Sequence, residues 1–407
     1  MRRASALTAL AAVAGPGLLA GLSDDDPAGI TTYSILGADY GYTLLWVLAL
    51  STVALVIFHE AGARMGVATG QGLMGLIRER YGVRLAAVAL LALLIANVGT
   101  TCAEFAGVAA SLELAGVSKY VSVPIAALGV SFLVLRGSFH RIEHVLLALG
   151  TIFAAYILAG ILAQPDWGAA AKGLVVPSMP SGTAALLAVT ATVGTTLAPW
   201  GLSFIQSYVV DKRLRPADMR LERADVITGS IMTGVIGFFV VVACAATLHA
   251  DGRSIESAAD AAVALKPLAG NLAATLFGAG LLGAALLAAS ILPLSTAYSV
   301  AEAAGTESAL DDPLPRAKLF YGTYAVVVII AVAVVLIPGA PLIRILYLTQ
   351  ALNAILLLPL LVFIIGITRD RELMGDLTSG RRDTFLAGAA LVLIAVCVAT
   401  LLLSQFL

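Results

Sequence analysis

The residues best suited to chemistry lie in one short run, Ser23-Asp24-Asp25-Asp26-Pro27-Ala28-Gly29. Three carboxylates beside a proline and a glycine, inside an otherwise apolar stretch, offer hard oxygen donors where the helix must break. Such a cluster must face protein or water, because an unbroken lipid-facing helix would carry its charges at a large cost. A second run, Gly194-Thr195-Thr196-Leu197-Ala198-Pro199-Trp200-Gly201, breaks another apolar segment without any charge. Pro199 removes an amide donor there, and the glycines loosen the flanking turns. Taken alone, Pro199 equally fits a tolerated membrane-helix kink. Asp24 and Asp25 either serve the site or sit in a wet loop outside a short first span, whereas Asp26 is the aspartate assigned to the site.

The elements around these runs must be membrane helices. Of 407 residues, 60% are hydrophobic and only 12% charged, far more apolar surface than one soluble core hides. The apolar runs are rich in Leu, Ala, Val and Gly and do not alternate as barrel strands do, so the bilayer is the expected partner of an all-α polytopic chain. A hydropathy window gives about eleven spans, centred near residues 14, 50, 98, 128, 152, 195, 238, 286, 328, 354 and 396. Met1-Arg2-Arg3 imitates a secretory signal, but Gly15-Pro16-Gly17 and the acidic break suit a first transport helix better. Basic residues alternate between loops: Arg78, Arg80 and Arg84, then Lys119, then Arg136 and Arg141, then Lys172, then Lys212 to Arg223. Arg369, Arg371, Arg381 and Arg382 continue the pattern, while the loop with Arg253 and Lys266 and the loop with Glu307, Asp311, Asp312, Arg316 and Lys318 are less regular. This predicts a cytoplasmic N-terminus and an outside C-terminus in a cell membrane.

Five spans separate the two breaks. Paired breaks in the first helix of each half point to a LeuT-like 5+5 inverted repeat with helices 1 and 6 broken. The expected division is a first repeat over 1–165, a second over 182–366 and an additional helix over 384–406, all in one transporter domain. The net charge of −1 suggests no nucleic-acid partner. Cys102, Cys244 and Cys397 fall in separate apolar runs, so neither a disulfide framework nor a zinc site is indicated. The chain contains no Walker A sequence and its loops are too short for a nucleotide domain, so neither a nucleotide partner nor an enzymatic activity is expected.

Asp26-Pro27-Ala28-Gly29 resembles the Asp-Pro-Gly-Asn motif of the NRAMP metal transporters, and Gly15-Pro16-Gly17-Leu18-Leu19 is similar to that family's opening. The resemblance continues, in order, through Ala63–Gly70 and Leu76–Tyr81, Ala103–Gly107, Thr349–Leu352 and Arg369–Gly375. It implies a divalent metal ion as substrate, with no cofactor, held where the family uses its motif aspartate and asparagine, a sixth-helix carbonyl and a methionine. Those positions hold Asp26, Gly29, Thr195 and Ala198 here. Loss of the soft thioether at Ala198 removes a preference for transition metals. Gly29 leaves room for a cation such as Mg²⁺ that keeps its waters. By the same resemblance Gln350 closes the site, its alternative being an interhelical hydrogen bond, and Glu104 is either a supporting carboxylate or a structural one between helices. The pattern is most similar to the NRAMP-related magnesium transporters. It implies import of Mg²⁺, with Mn²⁺ also carried, by alternating access.

Proton-coupled members carry a histidine and an aspartate where this chain has Trp200 and Thr101, and the ninth span, Tyr321 to Ile337, lacks an ionisable group other than tyrosine. Uncoupled transport is therefore expected. The alternatives are a conventional proton-coupled Mn²⁺/Fe²⁺ importer, an amino-acid or amine symporter on the same fold, and a metal receptor. His59 and Glu60 are set aside as packing or gate contacts, since consecutive residues on a helix point in different directions.

Overall fold

Asp26 stands at the start of the first well-defined helix because its side chain accepts the Gly29 N–H and Pro27 occupies the first helical position. That helix, α1 (Pro27–Tyr40), is the part of the broken first span that follows the break. The computed structural model describes residues 17, 20, 21, 24–136, 154–262, 270, 273–306 and 315–404. The Met1-Arg2-Arg3 segment, Pro16, Leu18, Leu19, Ser23, Arg141, Lys266, Glu307, Asp311, Asp312 and the centre of the fifth span lie outside the described residues.

After α1 come α2 (Leu45–Thr69), the short amphipathic α3 (Leu73–Tyr81), α4 (Val83–Glu113), α5 (Lys119–Arg136) and α6 (Ala154–Leu162). The second half holds α7 (Thr183–Thr196) and α8 (Pro199–Asp211), then α9 (Met219–Cys244), α10 (Ala273–Ala304), α11 (Lys318–Val335), α12 (Leu342–Thr368) and α13 (Arg381–Leu403). Eight spans among the described residues are long and apolar enough to cross a bilayer, one of them α7 and α8 together, with a shorter apolar helix at Lys119–Val134. At 1.5 Å per residue, the 25 residues of α2 exceed a hydrocarbon core of about 30 Å. This second span extends well beyond the centre expected near residue 50, because Gly70, in the left-handed region, is what ends it. The chain is a multi-pass membrane protein.

Helix positions follow burial. Within the broken span Thr183–Asp211, 89% of an apolar 18-residue stretch is buried and the span lies at the centre, whereas in the more apolar α13 the share is only 22% and the helix lies at the edge. Centrality at lower hydropathy marks an element built for a site rather than for lipid. Small residues let backbones meet there: Gly194 of α7 abuts the Gln350 carbonyl of α12, Gly107 of α4 receives the Pro27 ring, and Gly37 of α1 meets the Val241 carbonyl of α9. The segment before the first break docks on α9 in the same way, with Gly17 against Val226 and Gly21 against Gly229. Asp225 accepts the Gly17 N–H at 2.7 Å, and Thr233 donates to the Gly21 carbonyl at 2.6 Å.

One end of the bundle carries most of the arginines and is called the basic end below. There Glu60 pairs with Arg64 at 3.2 Å and with Arg223 at 2.7 Å. Arg80 pairs with Asp370 at 2.6 Å. The N-terminus of α3 is capped from a distance: Gly72 has no side chain to do so, and Glu302 at the end of α10 accepts the Met74 N–H at 3.2 Å and the Ser207 hydroxyl at 2.6 Å.

Candidate functional site

The two breaks face each other. Leu197 leaves helical geometry at φ −115°, ψ 59°, Ala198 is extended, and Pro199 restarts the chain as α8. The Tyr33 hydroxyl of α1 lies 3.0 Å from Thr196 Oγ1, tying α1 to the end of α7. Gly29 is the meeting point. A Cβ built there would stand 3.2 Å from Thr195 Oγ1 and 3.3 Å from Asp26 Oδ1. The structure thus brings together Asp26, Gly29 and Thr195, and the Thr195 hydroxyl has no hydrogen-bond partner among the described residues. Glu104 of α4 is fully buried and faces the Asp26 carboxyl. Two carboxyls so close in a dry core make an arrangement that a cation relieves.

Ala198 lies in an apolar cluster with Trp200, Ala288 and Leu292 and adds no donor atom. Gln350 is buried beside the break through its main chain, but its side chain is engaged elsewhere. Its Oε1 accepts from Asn353 at 3.0 Å, and Asn353 also donates to Thr100 Oγ1 at 3.0 Å. Gln350 is therefore held in a ladder that runs from α12 to α4. Asn353 and Thr100 were missed in the sequence because amides and hydroxyls in apolar runs carry no spacing signal. Thr101 donates to the Asn97 carbonyl at 2.7 Å.

Asp24 and Asp25 do not sit in a wet loop. They are 1% and 0% exposed, and neither carboxylate has a hydrogen-bond partner among the described residues. The span is simply longer than its apolar core suggests, continuing through the break into α1. His59, set aside in the sequence, is fully buried with Nε2 4.0 Å from Asp24 Oδ2, while its neighbour Glu60 turns to Arg64 and Arg223. The consecutive residues do point apart, and that same geometry aims His59 inward. Among the described residues no three His, Cys, Asp or Glu side chains cluster as a ready metal cage. A cation held by Asp26 would complete its shell with hydroxyl, main-chain or water oxygen, as hard ions do.

Two broken helices facing each other inside a helical bundle define a transporter of the LeuT-like fold. An Eremococcus coleocola manganese transporter superposes with a TM-score of 0.78 at 21% identity, covering 100% of this chain and 93% of that one. The amino-acid-bound structure of MhsT with L-phenylalanine gives 0.62 at 14% identity, covering 98% of each chain. In sequence, the divalent metal cation transporter MntH of Yersinia pestis (strain Pestoides F) is 28% identical over 397 residues, which is 94% of this chain and 92% of that protein. The family model for natural resistance-associated macrophage protein-like chains matches residues 17–404. The chain belongs to the Nramp family.

Proposed function

We propose that this chain imports divalent metal ions through a site centred on Asp26, that it prefers Mg²⁺ while also accepting Mn²⁺, and that protons do not accompany the ion. Transport of a divalent metal is supported by the family and by relatives named for that activity. The preference rests on one observation: the carboxylate of Asp26 and the hydroxyl of Thr195 converge on Gly29, while Ala198 supplies no sulfur. Oxygen donors suit a hard cation, and removal of a thioether takes away the advantage of softer ones. Glu104 supports the charge from behind, and Gln350 shapes the wall through its main chain.

Alternating access between a repeat over 1–165 and one over 182–366, with 384–406 added at the edge, accounts for the paired breaks. The basic end faces the cytoplasm in this reading, which puts the N-terminus inside and the C-terminus outside. A potential of 100 mV contributes about 2.3 kcal/mol per charge, roughly double for a divalent ion, so entry needs neither proton nor nucleotide. Trp200 is buried in apolar company and the Thr101 hydroxyl is bonded to its own helix, which leaves a proton relay without those two members.

The test is Mg²⁺ and Mn²⁺ uptake into proteoliposomes with an internal pH dye, for wild type and Asp26→Ala. Asp26-dependent Mg²⁺ entry without acidification is the expected result. Mn²⁺ entry alone, with acidification, would make the chain a conventional proton-coupled importer. Uptake of an amine or amino acid in place of either metal would move it to another substrate class.

A further inference from the structure

On the basic-end side of the first break, Asp24 and His59 converge on a bare patch of α8. His59 Nε2 lies 4.0 Å from Asp24 Oδ2. A Cβ on Gly201 would fall 3.2 Å from that nitrogen and 3.3 Å from Asp24 Oδ1. Both side chains are at most 1% exposed, and both carboxylate oxygens and both ring nitrogens lack a hydrogen-bond partner among the described residues. A buried carboxylate and a buried imidazole without a hydrogen-bond partner are costly unless something satisfies them. The main-chain carbonyl of Asp24, by contrast, lies against Gly29, 2.7 Å from where its Cβ would be. Residue 24 thus joins the two places, with its backbone at the Asp26 site and its side chain on the far side of the turn.

Beyond Gly201, α8 carries three buried polar residues, Ser203, Gln206 and Ser207. From Gly201, α8 runs to Ser207, which borders a cavity of about 850 Å³ at the basic end, also lined by Gln71, Arg78 and Glu302. We infer that Asp24 and His59 form a second, transient divalent-cation station between the Asp26 site and this cavity, with one carboxylate oxygen and one imidazole nitrogen as its protein ligands. The inference rests on the reading of Asp26 as the central site. The remaining positions are water or main-chain oxygen, so the station holds an ion loosely enough to release it. Imidazole favours Mn²⁺ and its heavier neighbours over Mg²⁺, so this station holds Mn²⁺ the longer of the two.

Mn²⁺ is both substrate and probe. The full-length protein, purified in detergent with any polyhistidine tag removed, is loaded with Mn²⁺ and examined by pulsed electron paramagnetic resonance for modulation from a directly bound nitrogen. The modulation is expected in wild type and in Asp26→Ala, and is expected to be lost in His59→Gln. Gly201→Ala, which places a methyl between the two groups while leaving both in place, is expected to abolish it too; this second variant covers the case in which His59→Gln fails to fold. No nitrogen modulation in Mn²⁺-saturated wild type, or one that survives both substitutions, would overturn the station while leaving the Asp26 reading intact. Conversely, unchanged metal uptake by Asp26→Ala together with a His59-dependent modulation would keep the station and remove the central site.

Discussion

The two helix breaks are built from opposite materials. The first concentrates charge: Asp24, Asp25 and Asp26 are all buried within three residues. The second is neutral, with Thr195, Thr196, Leu197 and Ala198 preceding Pro199. Their helix dipoles are opposed as well. α1 presents its positive N-terminal end to the site, which Asp26 offsets as the N-cap, while α7 presents its negative C-terminal end. On the function proposed above, one break would supply the attraction for a cation. The other would supply the neutral surface against which ions of the same charge are compared. Recruitment and selectivity would then be separable, because they reside on different helices.

The strongest way to break that division is Asp26→Asn. Asparagine caps a helix about as well as aspartate, so α1 should persist while the charge is lost. Metal uptake is expected to fall about 100-fold or more, with a melting temperature close to wild type. A large loss of stability would mean that Asp26 is a folding residue rather than a recruiter. Next in size, Ala198→Met restores a soft ligand on the neutral side. It should raise Mn²⁺ or Cd²⁺ competition against Mg²⁺ uptake by about tenfold, at a packing cost of about 1–3 kcal/mol because Ala198 is enclosed by Trp200 and Leu292. Unaltered selectivity would place discrimination elsewhere, the Asp24–His59 pair being the first candidate. The smallest expected effect is that of Thr195→Val, which keeps the shape and removes the hydroxyl. A loss of about 1 kcal/mol corresponds to roughly a fivefold rise in KM for Mg²⁺, rescued by Thr195→Ser. Equal effects on Mg²⁺ and Mn²⁺ would show that the hydroxyl binds without discriminating.

Both breaks were legible in the sequence because their signals are local. Proline lacks an amide donor wherever it stands, and three aspartates cannot join an apolar helix without a reason. The convergence of Asp26, Gly29 and Thr195 was legible only through the family resemblance, since no periodicity links residues so far apart. Burial of Asp24 and Asp25 was not legible, because a carboxylate beside a break looks the same in a wet loop as in a dry core. The same holds for Glu302, whose contact with Met74 spans 228 residues, and for Asn353, whose bond to Thr100 spans 253. Contacts of this kind are decided by which helices pack together. The side chain of Gln350 shows the limit from the other direction: the resemblance implied a place at the site, and its bond to Asn353 could not be read from the sequence.

The crowding at Gly29 bears on how such proteins change cargo over generations. Any side chain at this position must contend with the Asp24 carbonyl oxygen, 2.7 Å from the Cβ position, in addition to the Asp26 and Thr195 oxygens. An asparagine arriving here alone would have to push the acidic turn aside before it could serve an ion. Regaining an amide ligand is then a route of at least two steps, in which the turn is remodelled before the new residue is useful. Lineages carrying glycine at this position should be held there by the shape of their own backbone, even when a softer metal becomes the scarcer nutrient.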